Sequence, residues 1–135
     1  MIRDPLYIAF LYHFNVTEDY FECHEVMETL WLEEGRSLLC QGLLQVAVGL
    51  YHHRNGNVNG AIKLFQGAVN KLEQYPDAEA GIDLGDLVRR SREYLQGLER
   101  GRDQYPFRPF RIRITDPELE RLVARLKERP PEPHH

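Results

Sequence analysis

His24, Glu25 and Glu28 are the residues of this chain best suited, by type and spacing, to do chemistry. In a helix His24 and Glu28 lie one turn apart, so both side chains can reach one ion or share one proton. The related pattern His-Glu-x-x-His sets two zinc ligands and a general base on one helical face. Here glutamate stands at the second ligand position, giving His-Glu-x-x-Glu. His52 supplies a further nitrogen if a second helix brings it alongside. Two histidines and a carboxylate with an open position suit a catalytic zinc or another divalent ion. Glu25, about 100° around the helix from His24, is then the candidate base on a bound water. Gln41 and Gln45 would support the ligands or a substrate through hydrogen bonds, and Trp31 would wall the site beside Glu28.

The same residues can instead form a closed network. Glutamine is a poor metal ligand, but glutamine and histidine together pair efficiently between helices. His24 and Glu28 then make a buried charge-assisted pair, and Gln45 and His52 absorb the remaining donors and acceptors. Breaking such a pair costs about 3–5 kcal/mol. The distinction is between an open cluster that holds an ion and a closed one that holds only itself together.

These residues need two helices to carry them. Tyr20 to Trp31 reads as an amphipathic helix in which Tyr20, Met27 and Trp31 fall within about 60° of His24. Its predicted span is 18–34, capped by Thr17 and ended by Gly35. A following helix, capped by Ser37 and running to Arg54, is apolar almost all round, the mark of a central element. Gln41, Gln45 and His52 nevertheless share one line on it, with Gly42 and Gly49 beside that line. Two polar lines on faces that should be buried are expected to meet.

The remaining elements surround this pair. Asp4-Pro5 starts a first helix to about Asn15, and Asn55-Gly56-Asn57 is a turn into a fourth helix over 58–74. A fifth helix spans 83–102, and Asp116-Pro117 starts a short last one. Residues 105–114 alternate apolar residues and arginine around two prolines, which predicts an extended strap, with Phe107, Phe110 and Ile112 gripping the bundle. His13 and His53 fall near helix ends, and a surface position is expected for His53. Strand signals are otherwise absent. The fold class is all-α, a compact bundle of about five or six mostly antiparallel helices with a proline- and arginine-rich strap towards the C-terminus. Residues 1–129 read as one helical domain, and 130–135 as a disordered tail whose two histidines resemble a purification-tag remnant.

Composition narrows the function classes. The chain has 135 residues, 42% hydrophobic and 28% charged, with a net charge of -4. That balance opposes nucleic-acid binding, which needs a basic surface. Eleven of the twelve basic residues in 76–135 are arginine, matched by twelve acids, so ion-paired helix faces are expected, Arg89, Arg90 and Arg92 among them. Cys23 and Cys40 have no metal-type spacing and read as buried free thiols. No apolar run approaches a membrane span, and the first residues do not resemble a secretion signal, so a cytoplasmic protein is expected. A small-molecule substrate and a second copy of the chain are the partners this leaves open.

Three blocks in order carry a resemblance. They are Phe21-Glu22-x-His24-Glu25-x-x-Glu28-x-x-Trp31, Gln41-Gly42-Leu43-Leu44-Gln45-x-Ala47, and His52 followed by Gly56-Asn57-x-x-Gly60-Ala61. Together they resemble the family catalogued as domain of unknown function 309, small all-helical proteins, over about residues 7–75. The resemblance implies a predicted metal-dependent hydrolase, with His24, Glu25, Glu28, Gln45 and His52 at the site positions. Cys23 departs from the smaller residue more usual there, and either packs or adds a ligand. A separate pattern, Gly49 with Ala61, Phe65 and Ala68, matches the small and aromatic positions of a tetratricopeptide hairpin. That implies a protein-binding module, although such arrays need about three units for stability.

Overall fold

A computed structural model describes residues 1–131. Its α-helices are α1 (Pro5–Tyr12), α2 (Tyr20–Glu33), α3 (Leu38–Arg54), α4 (Val58–Leu72), α5 (Leu84–Gly101) and α6 (Pro117–Glu128). A π-helical turn, His13–Thr17, extends α1, and a single 3-10 turn follows α5. Residues 132–135, most of the expected tail, lie outside the described part.

Each helix begins where a short polar side chain can take an orphan backbone N–H. Asp4 accepts from Leu6, Ser37 from Cys40, Asn57 from Gly60, Asp83 from Asp86 and Asp116 from Leu119. For α2 the cap is Asp19, not the expected Thr17. The chain passes through a left-handed residue, Glu18 (φ 55°), which carries Thr17 out of line with the helix. Thr17 instead accepts the Asp19 N–H and bonds back to His13. Gly56 (φ 82°) makes the tight turn between α3 and α4.

α3 is the central helix and packs against α2 on one side and α4 on the other. Leu39, Leu43, Val46, Ala47 and Leu50 are buried. The approach to α4 is close because glycine faces bulk. A methyl group at Gly42 would lie 2.6 Å from Leu72, and one at Gly49 2.9 Å from the Phe65 ring. Gly49, Ala61, Phe65 and Ala68 therefore form a tightly packed antiparallel hairpin.

A small hairpin, β1 (Ala78–Glu79) and β2 (Ile82–Asp83), was not anticipated. Its loop residues Ala80 (φ 53°) and Gly81 (φ 73°) both have positive φ, the two-residue loop that suits a hairpin. Strands of two residues are too short to leave a periodic signal. The hairpin tip is tied to its surroundings: the Tyr7 hydroxyl donates to the Ala80 carbonyl at 2.7 Å, and Gly81 accepts from Thr115.

The strap over 105–114 is extended as expected and ends as a bridge from Ile114 to Ile82. Ile112 is buried, and Phe107 and Phe110 pack on the core. Asn15, at the π turn, holds Ile112 by both backbone groups, donating to its carbonyl and accepting from its N–H, each at 2.8 Å. On α5 the exposed Arg89 and Arg90 both pair with the buried Asp86 carboxylate, and Arg92 pairs with Glu73. Cys23 donates weakly to the Phe10 carbonyl, so it faces α1 rather than any ligand cluster. Burial pushes both thiols up, Cys23 strongly.

Candidate functional site

The buried stripe of α2 runs through Tyr20, Cys23, Val26, Met27 and Leu30. His24 sits at its margin, with 35% of its side chain exposed. It was expected in the middle of the buried face. The stripe is centred nearer Cys23 because α2 must cover α1 as well as α3.

Both ring nitrogens of His24 have a carboxylate within reach. Nε2 lies 3.1 Å from Glu28 and Nδ1 3.4 Å from Glu25. A neutral imidazole carries one N–H, so it can donate to only one of these acids; the imidazolium can donate to both. Glu28 is 51% exposed. An open pair of this kind contributes about 0–1 kcal/mol, not the several of a buried bridge.

His24 and His52 open on the same pocket, between α2 and α3. Its volume is about 150 Å³, and Tyr20, Phe21, Val48 and Tyr51 complete the lining. Phe21 is half exposed at the mouth, and its ring centroid lies 6.0 Å from that of Tyr51. His52 Nδ1 is 3.4 Å from the Asn57 amide, which ties it to the turn before α4.

The other expected members are distributed differently. Gln45 lies against α4, where its amide occupies the space a Cβ at Gly67 would need. Gln41 is half buried on the same helix. Trp31 is half buried near the end of α2 with the Arg36 guanidinium over its ring at 5.5 Å. No group of three or more His, Cys, Asp or Glu side chains among the described residues is arranged to hold a metal ion. His24 faces its own carboxylates and His52 faces Asn57, so the side chains as they stand do not form a ligand set for an ion.

Three buried polar atoms on α2 and α3 lack a hydrogen-bond partner among the described residues: the Tyr20 hydroxyl, Trp31 Nε1 and Gln45 Oε1. Buried polar groups are normally satisfied, and each orphan costs about 1–3 kcal/mol. A closed network would have paired them.

The network that is closed was not anticipated, and it belongs to His53. This residue is 7% exposed, not at the surface. The Tyr105 carbonyl, 3.1 Å from Nε2, can only accept, so Nε2 carries the proton. Nδ1 is then an acceptor, and the Tyr94 hydroxyl donates to it. The Arg108 N–H donates in turn to Tyr94. Tyr105 stacks on the imidazole at 5.9 Å, and Phe107 meets it edge-on. Burial pushes His53 below the usual histidine range, partly opposed by the bond to Tyr105. Burial likewise raises Tyr94 to about 12. The signal was present in the spacing: His53 follows Val46, Gly49 and Leu50 on the buried stripe of α3. His13 is half buried and bonded to Thr17, and burial lowers it too.

The architecture defines a small all-α protein built on three consecutive antiparallel helices, α2 to α4, with an open histidine–carboxylate cluster on one side. Residues 7–64 match the family model described as domain of unknown function (DUF309), and this part of the chain belongs to that family. The chain is 37% identical over 98 residues to the uncharacterised protein YpuF of Bacillus subtilis, covering 69% of this chain and 56% of that one. It is 28% identical over 88 residues to an uncharacterised protein of Aquifex aeolicus, covering 63% of this chain and 26% of the other. The chain thus spans about half the length of the first relative and about a quarter of the second. No helix among the described residues is long and apolar enough to cross a membrane.

Proposed function

We propose that the α2–α3 pocket binds a small molecule through one ring-sized apolar group, and that His24 exchanges a proton with that molecule's polar edge. The observation that carries this reading is the shared opening of His24 and His52 on one pocket with an otherwise apolar and aromatic lining. A cavity of about 150 Å³ holds one benzene-sized ring. Glu25 and Glu28 flank the two His24 ring nitrogens and orient the ring for general acid–base work. His52, steadied by Asn57, is a second polar contact. The Tyr20 hydroxyl, buried without a partner among the described residues, belongs to the same lining. Two free, buried cysteines fit a reducing compartment, so the cytoplasm is the proposed location.

An NMR screen of single-ring phenols, amides and carboxylic acids tests this. Hits are expected to shift Phe21, Val48 and Tyr51 and to be lost in Val48→Trp, which fills the pocket. His24→Gln, which removes the proposed proton partner, should weaken the phenols and carboxylic acids while leaving the pocket open. Hits that bind Val48→Trp unchanged would sink the proposal.

A divalent-metal hydrolase using His24, Glu28 and His52 as ligands, with Glu25 as base, is the second reading. The shared pocket favours it, but both histidines must first turn from their present partners. Thermal melts with zinc, manganese and nickel, in a chain with His134 and His135 replaced by glutamine, decide it. A melting temperature indifferent to all three removes this reading.

A further inference from the structure

A second pocket, of about 340 Å³, lies where the π turn, the strap and α6 meet. Its size is within the range of small-molecule sites. We propose that it binds a monoanionic carboxylate with an apolar body, such as a medium-chain fatty acid. Four observations lead there.

The wall is built from an unusual element. π-helical turns are rare and recur at functional sites, and this one supplies Asn15 and Val16 to the lining. That wall is also rigid, because the Asn15 amide holds both backbone groups of Ile112, the adjoining strap residue. A site held in shape before binding loses less entropy when filled.

The lining divides about equally between polar and apolar surface. Ile112 and Val123 are buried beneath it, and Val16 stays 40% exposed beside them. The rim is cationic. Arg111 and Lys127 line the pocket, and neither pairs with an acid among the described residues, although Arg3, Arg89, Arg90, Arg92 and Arg113 all do. Glu120 is the one acid of the lining. Two cations and one acid leave a single net positive charge, which suits a carboxylate.

The test is an NMR titration of the full chain with octanoate, using octanol as the neutral probe. Saturable shifts are expected at Val16, Ile112, Ile114 and Val123. Octanol should bind about tenfold more weakly or worse, as loss of a charge-assisted contact implies. Joint replacement Arg111→Gln and Lys127→Gln should weaken octanoate by a similar factor, whereas Glu120→Gln should strengthen it. Ala124→Trp, at an exposed position of α6, should block the pocket without disturbing the core. Equal binding of octanol and octanoate overturns the proposal. So do shifts that map elsewhere, or no saturation by roughly 10 mM octanoate.

Discussion

His24 and His53 are two histidines on neighbouring helices with opposite circumstances. His53 is buried, and each ring nitrogen has one partner of the right kind, a phenol that donates and a carbonyl that accepts. His24 is partly open, and both nitrogens face carboxylates that a neutral ring cannot satisfy together. The first arrangement has one stable protonation state and nothing left to offer. The second leaves one carboxylate without a donor when the ring is neutral, and it faces a pocket. A satisfied buried histidine fixes structure, and one left at a pocket's rim is free to act. The closed polar network of this molecule is therefore not the one expected between α2 and α3; it joins the last turn of α3 to α5 and the strap.

The sharpest test of this contrast is stability. His53→Ala leaves the Tyr94 hydroxyl and the Tyr105 carbonyl without their partner and opens a cavity, so about 2–4 kcal/mol should be lost in urea unfolding. If His24→Ala costs as much, the two sites are not different in kind. Tyr94→Phe should cost less, about 1–2 kcal/mol, because the bond to Nδ1 and the long one from the Arg108 N–H are lost while the ring still packs against Phe65 and Phe110.

Acidity separates the two sites further. Burial lowers His53, and also His13, below the unfolded value of about 6.5. The unfolded chain therefore binds more protons, and stability rises with pH through this window. The contribution is complete above about pH 6.5 and is lost as pH falls through the depressed folded values. Unfolding curves between pH 5 and 8 should show this slope, and His53→Gln with His13→Gln should flatten it. A slope unchanged in that variant would mean other groups carry it.

The smallest effects belong to the open site. His24→Ala and Glu28→Gln should each change stability by less than about 1 kcal/mol, since a partly exposed pair contributes little. A loss above about 2 kcal/mol from either, in the same urea measurement, would restore the closed-network reading.

Much of this was legible in the sequence. Most of the helix spans could be read from their caps, the prolines at Asp4-Pro5 and Asp116-Pro117, and the glycine turn, all of which act within a few residues. The strap was legible because two prolines exclude both helix and central strand. The side chains that meet His24 were legible in part. Glu28 lies one turn away on the same helix, and its pairing needs no other element. Gln45 was misplaced: it sits at the boundary between the faces α3 turns to α2 and to α4, and a small rotation decides which neighbour it meets. The absence of a side chain at Gly67 turned that choice towards α4.

The sequence by itself determined where most helices begin and end, that α3 is central, and that His24, Glu25 and Glu28 lie within about one turn of one helix. Local hydrogen bonds and periodicity are enough for that. Only the tertiary structure decided which histidine is buried. The burial of His53 depends on Tyr94, Tyr105 and Phe107, more than forty residues further along the chain. The exposure of His24 depends on how α2 divides its apolar face between α1 and α3. Both are outcomes of packing between distant segments; spacing puts His53 on the buried stripe of α3 but does not say what covers it.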